Sequence, residues 1–413
     1  MVTFNALRQT GRFLTERRIR FAGLEFELST LLWFAVALAI SAIRVSAGRW
    51  GMNNYLLFEG IIRHIGQGQN IYWDYWWEYD DANHYGPSFL VVIAPFSILH
   101  PIAGCFLWVM ANAAILWYAV RRLPLETKQQ NAILLFCLVE LSTSLSNVQF
   151  NPMLAAWFIL SWVWLREGKL IRSAALTALG FLIKLYGIAG LAFVVATRKP
   201  WRFALGFVLS LLVFFAFPAL FTDPAFVWQT YLDWFESLQV KHAKNLNLAD
   251  TDLSQDIGAP GLMRRMFGFP AFRDIWMLAP AALAMGIPLL RLWLRKPLPA
   301  LGYNIPALLM VSVVIFSSSA ESATYIVAIA GIALWYFSLP AERQRRLWRL
   351  AAAVLLISSL SSTDLDPSWV RKEIIWPYAV KALPVTIAWV WILVDVWKEA
   401  FGHVEAAGLQ HVE

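Results

Sequence analysis

Apolar residues in this chain come in long runs broken by short polar and charged stretches, not at the alternating positions of a half-exposed sheet. The runs at 29–47, 102–120, 131–145, 152–165, 171–183, 186–197, 201–221, 275–294, 304–319, 322–338, 347–362 and 376–397 predict twelve membrane-spanning helices. Several are shorter than the roughly 20 residues that a perpendicular helix needs, so the pattern predicts helices that end partway, meet at a cavity, or sit where the bilayer is thinned. The first run follows a tail carrying Arg8, Arg12, Arg17, Arg18 and Arg20. Tail and run are both too long for a cleaved signal, which predicts an uncleaved anchor with a cytoplasmic tail.

A thirteenth run, 87–99, is decided by charge. If it crossed the membrane, Arg121, Arg122, Arg166, Lys169, Arg198 and Lys199 would all move outside. If it does not cross, most Lys and Arg fall on the side of the tail, as the positive-inside rule requires. The segment is therefore read as juxtamembrane or re-entrant on the outer face. Two outer loops are long, 48–86 and 222–274. In the first, Tyr55, Phe58, Ile62 and Ile65 share one helical face while Asn54, Glu59 and Arg63 are polar, the pattern of a helix in the interface plane. In the second, Trp228, Tyr231, Leu232, Phe235 and Leu238 recur at helical spacing before the chain turns polar. With no repeat or separable soluble domain, the chain reads as all-α: a basic tail (1–27), one transmembrane domain (28–397) and a second tail (398–413). Both tails are expected to be cytoplasmic, in a multi-pass protein of the plasma (inner) membrane.

Composition agrees. Of 413 residues 59% are hydrophobic and 15% charged, against roughly 45–50% and about 25% in a soluble domain. The net charge of +7 is spread between apolar runs, so it speaks for topology and against a nucleic-acid partner. The 22 Trp suit an interfacial belt. Cys105 and Cys137, the two cysteines, both lie in apolar segments and cannot build a disulfide framework or a thiolate zinc site.

Only Glu140 and Asp395 are clearly within spans, where a proton-coupled carrier would place its carboxylates. Polar residues gather instead at the edges of the outer loops: Asn53, Asn54, Glu59, Asp74, Glu78, Asp80, Asp81, His84, Gln149, Asn151, Lys184, Glu321, Asp364 and Asp366. That distribution favours an enzyme acting on a membrane-dissolved substrate over a conduit. Lys184, between two apolar runs, could clamp an anionic group or merely snorkel to the head groups. Gln149 and Asn151 could hold sugar hydroxyls or serve as turn residues. Lys241, His242, Arg264 and Arg265 could attract phosphate, though anionic head groups explain them as well. Asp250, Asp252 and Asp256 lack the Gly and Glu of a calcium loop, with Gln255 and Gly261 at those positions. No histidine pair has metalloprotease spacing, and no metal site is expected.

The segments Tyr85-Gly86-Pro87-Ser88-Phe89, Ala94-Pro95-Phe96-Ser97-Ile98-Leu99, Trp108 with Asn112, Asn147-Val148-Gln149-Phe150-Asn151-Pro152, and Leu182-Ile183-Lys184-Leu185-Tyr186-Gly187, in that order and spacing, resemble glycosyltransferase family 87. Asn53-Asn54-Tyr55, Ala320-Glu321-Ser322 and Ser361-Ser362-Thr363-Asp364 resemble a bacterial subgroup of it. The resemblance implies a GT-C-like bundle that moves a hexose, often mannose, from a polyprenyl-phosphate carrier to a glycan or glycolipid on the extracytoplasmic face. It also implies one carboxylate as general base, cations for the departing phosphate, and no cofactor beyond the lipid-linked donor. Tyr85, His84, Gln149, Asn151, Lys184 and Asp364, with Asn53 and Asn54, are then the expected substrate-binding residues.

One departure matters. Many family members place an acidic residue shortly after the first span, where this chain has Asn53 and Asn54, which cannot take up a proton. Glu78 and Asp81 are the first replacements, then Glu321, with Asp80 and Glu59 behind them; each is otherwise an ordinary solvated carboxylate or helix cap. A flippase of lipid-linked sugars and a catalytically inactive relative are the alternatives.

Overall fold

The computed structural model describes residues 13–21, 24–246, 253–295, 302–360 and 368–402. Among these the fold is all-α apart from one small hairpin, in which β1 (Arg18–Phe21) pairs antiparallel with β2 (Leu24–Glu27) in the register Arg18↔Glu27. Residues 13–21 and 24–27 are thus folded against the bundle. Asn131 donates to Thr15 O at 2.8 Å, Glu27 pairs with Arg121, and Lys128 meets Glu16 at 2.8 Å.

Four helices are long and apolar enough to cross a bilayer: α1 (Leu28–Ser46), α4 (Pro101–Arg121), α8 (Pro200–Ala216, continued by a 3-10 turn to Leu220) and α11 (Ile275–Leu294). In each of the four, fewer than half of the residues of the apolar stretch are buried by protein. On α8 the uncovered stripe includes Leu205, Leu209 and Leu212. The long loop after α1 holds α2 (Asn53–Gly66), the segment 87–99 holds α3 (Leu90–Ser97), and the long loop after α8 holds the short α10 (Ala259–Arg265).

The shorter apolar helices fill the middle, where α6 (Asn151–Arg166), α12 (Asn304–Ile315) and α13 (Tyr325–Ser338) are buried nearly all round. α5 (Thr127–Ser146) packs on α13, and α7 (Leu170–Ile183) packs on both α6 and α8. The short runs are short because the backbone breaks between them. Lys184, at φ −143° and ψ 121°, ends α7, and residues Leu185–Ala196 continue as a 3-10 segment. Irregular backbone is tolerated at membrane depth only where protein or a cavity surrounds it. Here Gly187 allows the approach, since a Cβ there would sit 2.2 Å from the Gly180 carbonyl carbon.

The carboxylates of the apolar runs are engaged inside the bundle. Lys381 Nζ lies 2.8 Å from Glu140 Oε1, and Asp395 accepts Trp335 Nε1 at 2.8 Å while pairing with Arg343.

Both outer loops depart from the faces the sequence pattern suggests. In α2, Leu57, Ile61 and His64 are buried with Tyr55, Phe58 and Ile65, while Ile62 is only half-buried. The buried surface is wider than one stripe because the following loop folds over the helix and stacks Tyr75 on His64, with 3.8 Å between ring centroids. In α9 (Pro224–Asn245), Val227, Thr230 and Trp234 face the protein, and Trp228, Leu232 and Phe235 are left exposed. The run 87–99 forms a 3-10 turn and then the eight-residue α3, which at about 1.5 Å per residue is far too short to cross a bilayer.

Candidate functional site

One end of the bundle holds a cavity of about 270 Å³ between the two long loops. Its first wall is the end of the first loop. Trp234 Nε1 donates to His84 O at 2.9 Å, Tyr72 Oη donates to Tyr85 O at 3.0 Å, and Gly86 N donates to Ile183 O at 3.0 Å. Only glycine fits at position 86, because a Cβ would fall 1.9 Å from Leu182 O. The loop is therefore clamped between α9 and the end of α7, and it presents Asp81, His84 and Tyr85 to the cavity.

The floor comes from two breaks between helices. Val148, at φ 51°, turns the chain between α5 and α6 and offers Gln149, whose Oε1 accepts Tyr85 Oη at 2.7 Å. At the second break, Lys184 Nζ donates to Asn151 Oδ1 at 2.9 Å and lies 4.8 Å from the Tyr186 ring centroid. The far wall is the connection between α12 and α13. Its Glu321 accepts Gln255 Nε2 at 2.8 Å, and its Ser317 accepts Tyr186 Oη at 2.8 Å. α9 closes the space with Trp234, Leu238, Lys241 and His242, and His242 Nδ1 lies 2.7 Å from Ser318 Oγ.

The cavity thus joins two carboxylates, Asp81 and Glu321, to two ammonium groups, Lys184 and Lys241, among aromatic walls. Asp81 is open to the cavity, yet the surrounding protein restricts its water and raises its pKa. Asp80 and Glu321 push the same way, against the Ala82 N–H and Lys241. Burial, with repulsion from Lys241, Lys244 and Lys184, pushes His84 down to about 3, so its ring is neutral at physiological pH. His84 Nδ1 is buried with no hydrogen-bond partner among the described residues, a polar atom left for something that enters the cavity. Burial also lowers Lys184 to about 8, Lys241 adding to the shift and Glu321 opposing it.

The sequence candidates divide. Asn54, Asp81, His84, Tyr85, Gln149, Lys184 and Glu321 line the cavity, and Asn151 lies beneath it, holding Lys184 and donating to Ala323 O at 3.0 Å. Asn53 faces away and accepts Asp80 N at 2.6 Å. Glu78 does not line the cavity: Arg63 Nη2 and His64 Nε2 hold its Oε2 at 2.5 and 3.0 Å. Asp80 and Glu59 are also outside the lining. Asp364 and Asp366, like Asp250 and Asp252, lie outside the described residues.

Arg264 is bound on two sides, to Asp256 at 2.5 Å and Asp274 at 2.6 Å, and Arg265 donates to backbone carbonyls, so neither arginine reaches into the cavity. Sequence reasoning missed Gln255, Tyr186 and Trp234. Gln255 carried no usable signal; Tyr186 stands in the family-like segment 182–187, two residues after Lys184, and Trp234 with Leu238 and Lys241 has the i, i+4, i+7 spacing of one helical face.

An all-α bundle with long apolar peripheral helices and a cavity of mixed charge at one end defines a membrane protein with the groups for acid–base and anion-leaving chemistry. The model of glycosyltransferase family 87 matches residues 83–319, more than half of the chain. This chain belongs to glycosyltransferase family 87 and is a membrane glycosyltransferase. No curated protein matches it. The matched stretch contains His84, Tyr85, Gln149, Asn151 and Lys184, while Asp81 and Glu321 flank it on either side and meet in the folded cavity.

Proposed function

We propose that the protein transfers a hexose, of the mannose type, from a polyprenyl-phosphate carrier to a hydroxyl of a glycan or glycolipid on the extracytoplasmic face of the inner membrane. In this reading the chain is a GT-C-like bundle of about twelve spans with both termini cytoplasmic. The observation that carries the proposal is the meeting of Asp81 and Glu321 with Lys184 and Lys241 in one cavity at a loop-bearing end of the bundle.

The chemistry needs both kinds of group. A carboxylate takes the proton of the acceptor hydroxyl as its oxygen attacks the anomeric carbon. The bond from that carbon to the phosphate oxygen breaks, and the lipid phosphate leaves with the electron pair and one more negative charge. Asp81 is the base: burial raises its pKa above the ordinary aspartate range and so brings it closer to the acceptor's needs. Glu321, held by Gln255, is the second candidate. Lys184 and Lys241 neutralise the departing phosphate. Asn54, Gln149 and His84 Nδ1 are placed to bind sugar hydroxyls, and Tyr85, Tyr186 and Trp234 form the apolar walls that sugar faces and an isoprenoid pack against. Glu140 and Asp395 are tied to Lys381 and Arg343, which favours an enzyme over a proton-coupled carrier.

The test is transfer by purified protein in lipid, given polyprenyl-phosphate-linked radiolabelled mannose or glucose and a membrane extract freed of its own transferases. Label passing into another glycan or lipid supports the proposal. Carrier-lipid binding with no transfer from either donor would overturn it in favour of a flippase or an inactive relative.

A further inference from the structure

A second cavity, of about 1080 Å³ and open to the outside, is lined by the turn between α6 and α7, the turn leading into α8, and the first half of α8. α6 and α7, of 16 and 14 residues, run from Asn151 and Lys184 to this turn, a rise of roughly 21–24 Å. The two cavities therefore open at opposite ends of the bundle.

The lining of this second cavity carries Arg166, Lys169, Arg172, Arg198, Lys199 and Arg202 and no carboxylate. Lys169 meets Glu167 at 2.5 Å, and Glu167 is shared with Arg122. Among the described residues the other five form no ion pair. Like charges gathered around one concave space repel, and that cost is relieved by an anion. The cavity is not uniformly polar: it continues along Leu205 and Leu209 of α8, 51% and 53% exposed on the face that looks away from the protein. At its mouth stands Trp201, 61% exposed, with the Arg202 guanidinium 5.2 Å from its ring centroid, an amphipathic pair suited to the level of the head groups.

We propose that this cavity binds the phosphate-bearing head group of an anionic phospholipid in the leaflet opposite the transfer site, with the acyl chains lying along Leu205 and Leu209. A soluble phosphate compound would satisfy the cations but has no use for the apolar groove that continues from them. Basic pockets between membrane helices are suited to head groups of this kind.

The experiment is lipid binding by delipidated full-length protein, read by native mass spectrometry and by titration of fluorescent lipid, so it does not depend on sugar transfer. The probes are phosphatidylglycerol, diphosphatidylglycerol, phosphatidylcholine and inorganic pyrophosphate. Saturable retention of either anionic lipid, about tenfold or more tighter than phosphatidylcholine and weakened by salt, is expected. The double variant R198Q/R202Q, and separately R166Q/R172Q as a second route should the first misfold, should each lose about tenfold or more of that affinity. R345Q/R349Q, on the basic helix Ala341–Ala353, should lose none. Equal loss in R345Q/R349Q would overturn the proposal by showing diffuse surface charge. Displacement of the lipid by pyrophosphate with comparable affinity would overturn it in favour of a soluble anion.

Discussion

Lys184 Nζ donates to Asn151 Oδ1 at 2.9 Å, a neutral acceptor for a cation that among the described residues has no carboxylate in direct contact. The asparagine fixes the ammonium without neutralising it, so the charge stays available to a phosphate. Lys184→Ala should lower the donor's kcat/KM by about 10²–10³-fold, the scale of losing one charge-stabilising group. Asn151→Asp, which supplies a permanent counter-ion, should lower it in the same direction; steady-state transfer kinetics check both. Unchanged kinetics in Lys184→Ala would remove this residue from the phosphate site.

Asp81 and Glu78 are three residues apart and should behave oppositely. Asp81→Asn should abolish most transfer, by about 10²–10⁴-fold, with the donor still bound. Glu78→Gln should keep transfer near the wild-type rate and instead lower the melting temperature, because it breaks contacts to Arg63 and to the buried His64. The comparison needs both readouts on the same preparations. Loss of transfer in Glu321→Gln but not in Asp81→Asn would reassign the base.

Two of the shifted groups of the cavity give activity two limbs in pH. As a base, Asp81 works only when ionised, so activity should rise with pH through a value above the ordinary aspartate range. Lys184, lowered to about 8, loses its proton as pH climbs past that value, so a falling limb is expected near pH 8. Lys184→Arg should retain its charge and move that limb upward, in a pH series of kcat/KM.

His84 also gives stability a pH dependence. Its pKa in the fold, pushed down to about 3, lies below the 6.5 of an unfolded histidine, so below pH 6.5 the unfolded chain binds a proton that the folded one refuses. The stabilising contribution is complete above about pH 6.5 and is lost as pH falls from there toward 3. Melting temperatures in detergent should fall across that window, and less steeply in His84→Gln.

Gly86 tests how the cavity is held. A methyl at this position would meet Leu182 O at 1.9 Å and push the first loop off the end of α7. Gly86→Ala should cost about 1–3 kcal/mol and reduce transfer, whereas Gly66→Ala, with open space around it, should change neither. Thermal melts alongside the transfer assay decide it.

Much of this protein is legible in the linear pattern because burying an apolar run, in lipid or in protein, is a local property. The all-α class, the helices of both long loops and the collection of polar residues at the loop edges all follow from runs, spacing and charge. So does the order of motifs that points to the family. The buried stripes of α2 and α9 are less legible, because the polar segments that fold back over these helices carry no periodicity of their own.

What tertiary structure alone decided is which polar groups meet. Asp81 and Glu321, far apart in the chain, line one cavity because Gly86 bonds to Ile183, Trp234 bonds to His84, and Gln255 holds Glu321. Glu78, equally promising in sequence, is taken by Arg63 and His64, and Arg264 by Asp256 and Asp274. The reason is physical: an apolar residue is buried by almost any neighbour, but a carboxylate's role depends on the few donors that come within about 3 Å, and in this fold those come from distant parts of the chain.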